Sequence, residues 1–351
     1  MLPAMEFRVL DAALPGDLAR WIELWERWPR REIMAHPEYA RLFARQCDRV
    51  VCAAGEEEGG GAILFPLIVR PIAAEPWAAA AEEHLDAVTP YGYGGPFAWG
   101  ARDEDAFWRA HAAWCSEERV VSTFARLSLF PEQLAALPGE IEVRARNIVV
   151  PLEGGPDALW QGYEGKVRRW VRVAERAGLV VEVDRTGARV DEFLGVYTHT
   201  MKRNHAERWY FFPRAFFAQI TERLAGHYAF FHALRGGEVV SSDLVLCSEE
   251  HVYYFLGGTH VDAFPLGPNY LLKHHIATWA AGEGKKGYVL GGGYEPDDGL
   301  FRYKRAYARR GEVPFKVGRL VHDAEAYEAL VAARARHGWT PRRGFFPSYR
   351  A

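Results

Sequence analysis

The chain has 351 residues, 49% of them hydrophobic and 25% charged, a composition that excludes a disordered protein and suits two domains of about 150 residues each. No apolar run approaches the roughly 20 residues needed to cross a bilayer. The first residues show no basic, then apolar, signal pattern, and Cys47, Cys52, Cys115 and Cys247 make neither a disulfide framework nor a CxxC zinc pair, so the reading is of a cytoplasmic protein with no integral membrane contact.

The elements expected in the first half alternate between helix and strand. Apolar residues recur at helical spacing over 17–28 (Leu18, Trp21, Ile22, Trp25) and over 36–46. Val50–Ala54 and Ala62–Arg70 read as a hairpin around the Glu56–Gly61 turn, and Asp86–Thr89 as a short strand leading into the loop Pro90–Pro96. A helix at about 103–118 and strands near Val121–Leu129 and Ile141–Pro151 follow. Pro151, Gly154, Gly155 and Pro156 then mark a boundary.

The second half repeats the style. One helix with a basic face is expected from Pro156 to Ala177, stopped by Gly178 at its C′ position. Strand Leu179–Asp184 and helices at 189–202 and 213–225 come next. Tyr228–Leu234, Glu238–Cys247 and His251–Gly257 read as an antiparallel meander with turns at Gly236-Gly237 and Ser248–Glu250. Helix Asn269–Ala281, strand Gly287–Leu290, a glycine loop, a short helix around 300–308, strand Val313–Leu320 and a helix at 323–336 close the chain. The last is expected to pack back on the first half. The fold class is therefore α/β (α+β) with mixed, largely antiparallel sheets. One domain spans 1–152, completed by 321–351, and the other spans 153–320.

Charge is unevenly spread. Residues 1–150 hold 15 Arg, no Lys and 23 acids, a net charge of −8, whereas residues 151–351 carry +5 and the stretch 301–351 alone carries +8. A basic half suits a phosphate-bearing partner, since Lys and Arg displace counterions from phosphates. A solvated basic face accounts for the same charge.

A meander followed by a helix and a strand is the layout of a GNAT acyl-transfer core, in which free N–H groups at that helix start bind a pyrophosphate. Here the junction reads Asp262-Ala-Phe-Pro-Leu-Gly-Pro-Asn269 instead of the Gln/Arg-x-x-Gly-x-Gly/Ala loop, and each proline removes an N–H. Four ordered segments carry a wider resemblance. They are Lys166-Val-Arg-Arg-Trp-Val-Arg-Val-Ala-Glu-Arg-Ala-Gly178, Thr200-Met-Lys-Arg203, Tyr253-Tyr-Phe-Leu-Gly-Gly258 and Gly299-Leu-Phe-Arg-Tyr-Lys304 with Tyr307. Together they resemble the Fem-type (FemABX-like) transferases over roughly 155–320, with an echo in Tyr91-Gly-Tyr-Gly-Gly-Pro96 of the first domain. Tyr303 stands where that family usually has Phe, and the family's helical hairpin insertion is absent from the pattern.

The resemblance implies two tandem GNAT-like domains, a cleft, and transfer of an aminoacyl group from aminoacyl-tRNA to a peptide or small-molecule amine. Lys304 would be the catalytic residue, its ammonium facing the oxyanion of the tetrahedral intermediate, unless it is one more lysine of a basic run. Tyr303 would stack on the terminal adenine, with Arg302 and Arg305 contacting phosphates on the donor side. Arg203, Tyr254, Tyr91 and Tyr93 would contact the acceptor. For these, the competing structural roles are a salt bridge at a helix end, a core aromatic and a tight glycine turn. Asp297 and Asp298 would either hold the attacking amine or cap the helix that follows. The histidine spacings match no metal site, so no metal and no cofactor are expected beyond the co-substrate. Acyl-CoA or a carrier-bound thioester is the alternative donor. A non-catalytic RNA- or peptide-binding protein is a third reading.

Overall fold

The computed structural model describes residues 5–78, 83–340, 342 and 344–351. The chain divides into two compact units. One is built from residues up to Pro29, Met34–Arg144 and Phe315–Ala351, the other from Arg30–Ile33 and Ala145–Pro314.

The first unit begins with β1 (Glu6–Asp11), α1 (Pro15–Arg27), α2 (Pro37–Arg41), β2 (Arg49–Glu56) and β3 (Ala62–Pro71). It continues with β4 (Leu85–Val88), β5 (Phe97–Trp99), α3 (Glu104–Glu117) and β6 (Val120–Arg126). The strands lie in the order β1-β2-β3-β4-β6, antiparallel except for the β4–β6 pair, and β5 adds to β3. The β2–β3 hairpin pairs Arg49 with Val69 through Glu56 with Ala62. Both strands are buried along almost their whole length, which is why they read as continuous apolar runs rather than alternating ones. The helix expected over 36–46 stops at Arg41. The N–H groups of Phe43 and Ala44 donate to the carbonyls three residues back, of Ala40 and Arg41, and this tighter bonding ends the α-helix.

The second unit takes β7 (Glu140–Pro151) from Ala145 onward, then α4 (Gly155–Gly162), α5 (Gly165–Arg176), β8 (Val180–Asp184), α6 (Val190–Arg203) and α7 (Arg214–Arg223). The meander follows as β9 (Tyr228–Arg235), β10 (Glu238–Cys247) and β11 (His251–Thr259), then α8 (Pro268–Gly282), β12 (Gly287–Gly291) and α9 (Gly299–Arg305). Its order is β7-β12-β11-β10-β9-β8, antiparallel except for the β11–β12 pair. Adjacent strand residues point to opposite faces. Phe230 meets Phe193 of α6 while Phe231 meets Trp279 of α8, so these two helices cover opposite faces of the sheet.

The single helix expected from Pro156 to Ala177 is two helices. Tyr163 and Glu164 are extended, and the Glu164 N–H donates to the Ala306 carbonyl at 2.8 Å. Gly162 and Gly165, weak helix formers, flank the break. Gly178, at φ +73°, ends α5 in the left-handed conformation expected of a C′ glycine.

The chain then returns to the first unit. In β13 (Glu312–Val321), residues Val317–Val321 pair antiparallel with β6, and α10 (Ala324–Ala335) packs Leu330 with Ile72, Val121 and Tyr349. Buried Asp86 binds Arg70 at 2.7 Å and Arg350 at 2.5 Å, fastening the last residues to this unit. Among the described residues, no helix is long and apolar enough to cross a membrane.

Candidate active site

In the second unit, the parallel ladder of β11 and β12 ends at Tyr253↔Val289, although β11 runs on to Thr259. At that point β11 also bulges against β10. Leu244 faces Leu256, the next pair is Val245↔Tyr254, and Phe255 is left over. Such a bulge re-aims a side chain. Tyr253 turns to one face, where its hydroxyl donates to Glu32 Oε2 at 2.7 Å. Tyr254 turns to the other, where α8 and α9 supply two lysines.

Lys273 of α8 lies with Nζ 3.8 Å from the Tyr254 ring centroid and 2.5 Å from Asp243 Oδ2 on β10. Lys304 of α9 lies with Nζ 5.8 Å from the same ring and donates to the Gly292 carbonyl at 2.6 Å. All three charged groups are buried, at 4% exposure for Asp243 and Lys273 and 7% for Lys304. Among the described residues, Lys273 has a carboxylate partner and Lys304 a carbonyl. Burial, then the charge of Lys273, pushes the Lys304 amine down to about 7. Burial lowers Lys273 and raises Asp243, each opposed by the other's charge. That value places the buried Lys304 amine where it can exchange a proton near neutrality, beside an aromatic face.

Glycines make the approach possible. A Cβ on Gly257 would meet Asp243 Oδ1 at 2.2 Å and Tyr254 Oη at 2.9 Å, and one on Gly258 would meet Thr200 Oγ1 at 2.6 Å. Gly291, at φ +79°, turns the chain into the loop that offers its Gly292 carbonyl to Lys304.

The other residues expected on the donor side are placed as follows. Tyr303 is packed with Tyr270 and Tyr307, and its hydroxyl lies 3.2 Å from both Asn269 O and Tyr307 Oη. Arg302 donates to the Asp297 carbonyl. Arg305 lies 3.4 Å from Glu312 and 3.7 Å from Asp297. Asp298 caps α9, accepting from the Phe301 N–H at 2.6 Å and the Tyr294 N–H at 2.8 Å. These bonds hold its carboxyl below the usual range.

Of the residues expected on the acceptor side, Arg203 donates to the Thr259 carbonyl at 2.8 Å and covers the Phe264 ring, fastening the end of α6 to the end of β11. Tyr91 and Tyr93 belong to the first unit. The Tyr91 carbonyl accepts from Tyr39 at 2.6 Å, and the Tyr93 ring meets Phe315 edge-on.

Sequence reasoning missed Asp243 and Lys273. A signal for Lys273 exists: it is the one charge on the buried stripe of α8 that includes Ile276, Ala277 and Ala280. Ser242 sits 2.9 Å from His232 Nδ1, and His232 Nε2 is 3.9 Å from Asp184. Ser242 and His232 are both fully buried, so this trio offers no nucleophile to a substrate.

The start of α8 is poorly suited to a pyrophosphate. Pro268 occupies its first turn, Gly267 caps it without a side chain, and Trp170 of α5 lies against Gly267, 3.0 Å from where a Cβ would be.

Residues 163–305 match the acetyltransferase (GNAT) domain family, which places an acyltransferase-type domain in the second unit. Among solved structures, FemX superposes with a TM-score of 0.67 at 13% identity, covering 89% of this chain and 98% of that one. L-PGS from Bacillus licheniformis superposes with a TM-score of 0.54 at 13% identity, covering 92% and 96%. A conserved protein of unknown function from Bacteroides thetaiotaomicron gives 0.55 at 14% identity, covering 91% and 99%. The fold is that of two tandem GNAT-like domains. No curated protein sequence matches the chain.

Proposed function

We propose that this GNAT-fold acyltransferase, similar in fold to FemX, moves an aminoacyl group from aminoacyl-tRNA to an amine of a peptide or small-molecule acceptor. The observation that carries this reading is the pairing of a helix start poorly suited to a pyrophosphate with the buried Lys304, whose hydrogen bond goes to a carbonyl. Pro268 removes an N–H from the α8 start where an acyl-CoA would need free N–H groups, and Trp170 packs beside its Gly267 cap. Lys304 instead lies in the most basic stretch of the chain, which suits a polyanionic donor.

In this reading the acceptor amine attacks the ester carbonyl and a carbon–nitrogen bond forms. Neutral Lys304 takes the proton that the nitrogen must lose, and the resulting ammonium faces the oxyanion. The carbon–oxygen bond to the tRNA ribose then breaks, and the leaving oxygen takes the proton back from Lys304. Tyr303, Arg302 and Arg305 are assigned to the donor end, and Arg203, Tyr254, Tyr91 and Tyr93 to the acceptor. Positioning supplies much of the remaining acceleration.

The test is ribonuclease treatment of a working assay, which should abolish product formation; unchanged activity would sink the reading. A thioester donor is the second reading, favoured by the acetyltransferase domain match. Saturable thermal stabilisation by CoA would support it.

A further inference from the structure

We propose that the buried Lys273–Asp243 pair is a positioning device for the reaction centre, holding Tyr254 in place and setting the electrostatic surroundings of Lys304. The inference rests on Lys304 being the group that exchanges protons with the substrate, but not on which donor supplies the acyl group.

The geometry argues for more than a structural ion pair. A buried pair is a weak source of stability, because desolvation of both charges offsets their attraction. Yet the fold spends several features on this one. The β11 bulge aims Tyr254 at it, and Gly257 leaves the carboxylate room, since a Cβ there would meet Asp243 Oδ1 at 2.2 Å. Lys273 presses its ammonium on the ring at 3.8 Å, and the Lys304 nitrogen approaches the same ring at 5.8 Å. The pair and Lys304 thus share one aromatic wall, and whatever fixes Tyr254 fixes the surroundings of Lys304.

Lys273 of α8 and Asp298 at the start of α9 act on Lys304 through their charge, and Lys273 itself binds Asp243 of β10. Tyr254 of β11, Tyr288 of β12 and Tyr303 of α9 belong to the same core. Burial raises the tyrosine phenols, so they stay neutral over the working range. Asp298 favours the ammonium form of Lys304, and Lys273 is the neighbour that opposes it. Burial lowers Lys273, and the charge and hydrogen bond of Asp243 oppose that shift. The Tyr288 hydroxyl is fully buried in the same core and has no hydrogen-bond partner among the described residues.

The experiment follows the Lys304 titration directly, by NMR of the full chain labelled with 13C at the lysine ε-carbon, with Lys304→Met to assign the signal. The Asp243→Asn/Lys273→Met double variant removes both charges while keeping the volumes close. In it, the Lys304 midpoint should move up by about one pH unit, and the acidic limb of kcat/KM should move with it. Lys273→Arg, which keeps the charge, should leave the midpoint near its original value. A folded double variant whose Lys304 midpoint stays put, whatever happens to turnover, overturns the proposal. The titration needs no donor, so a failed tRNA assay leaves this test standing.

Discussion

At the scale of single residues, Lys304 makes opposite demands on stability and activity. Its folded-state value of about 7 lies below the ordinary 10.5, so between those two pH values the unfolded chain holds a proton that the native chain has released. Native stability therefore rises with pH across that window, and the cost of Lys304 is fully felt at and below pH 7. Lys304→Met should lower turnover by about 10²–10⁴-fold yet raise the urea midpoint at pH 7, with the gain fading towards pH 10.5. A variant less stable than the parent at pH 7 would contradict this account. Gly257→Ala should do the reverse of a harmless methyl addition. Its Cβ displaces the Asp243 carboxylate, and a cost of about 1–3 kcal/mol in denaturation is expected, along with loss of turnover.

At the scale of elements, two glycines on one helix separate local strain from chain entropy. Gly178 stands at φ +73°, so Gly178→Ala should destabilise by about 1 kcal/mol. Gly165 opens the same helix at ordinary φ with nothing within 4 Å of a new Cβ, so Gly165→Ala should stabilise by about 0.4–1 kcal/mol. Chemical denaturation of the two variants checks both signs. The meander β9–β11 was legible in the sequence because strand-length apolar segments are separated by turn residues such as Gly236-Gly237. The break between α4 and α5 was not. It depends on the Ala306 carbonyl capturing the Glu164 N–H, a contact far away in sequence. The same holds for the site: Lys304 and Tyr254 lie in recognisable segments, whereas Asp243 and Lys273 acquire meaning only when β10 and α8 meet. The first strand, β1, went unread, its short alternation being masked by the charged residues Glu6, Arg8 and Asp11.

At the scale of the whole molecule, acid should be the weak flank of stability. His111 and His322 of the first unit and His274 of the second are buried neutral, held down to about 3, 4 and 4 respectively. The unfolded chain protonates each near 6.5, so stability falls as pH drops below 6.5, by roughly 1.4 kcal/mol per pH unit for each such histidine. Urea midpoints measured from pH 7 to 4 should decline steadily, and a flat profile would contradict the burial of these rings. The uneven charge, −8 before residue 150 and +5 after it, belongs to the same scale and leads to the donor. The most direct test is incubation of the protein with a pool of charged tRNAs and candidate amines, read by mass spectrometry beside the same reaction with acyl-CoA. The account predicts an amide product from intact charged tRNA that Lys304→Met abolishes. Product from acyl-CoA alone, with none from charged tRNA, would contradict it.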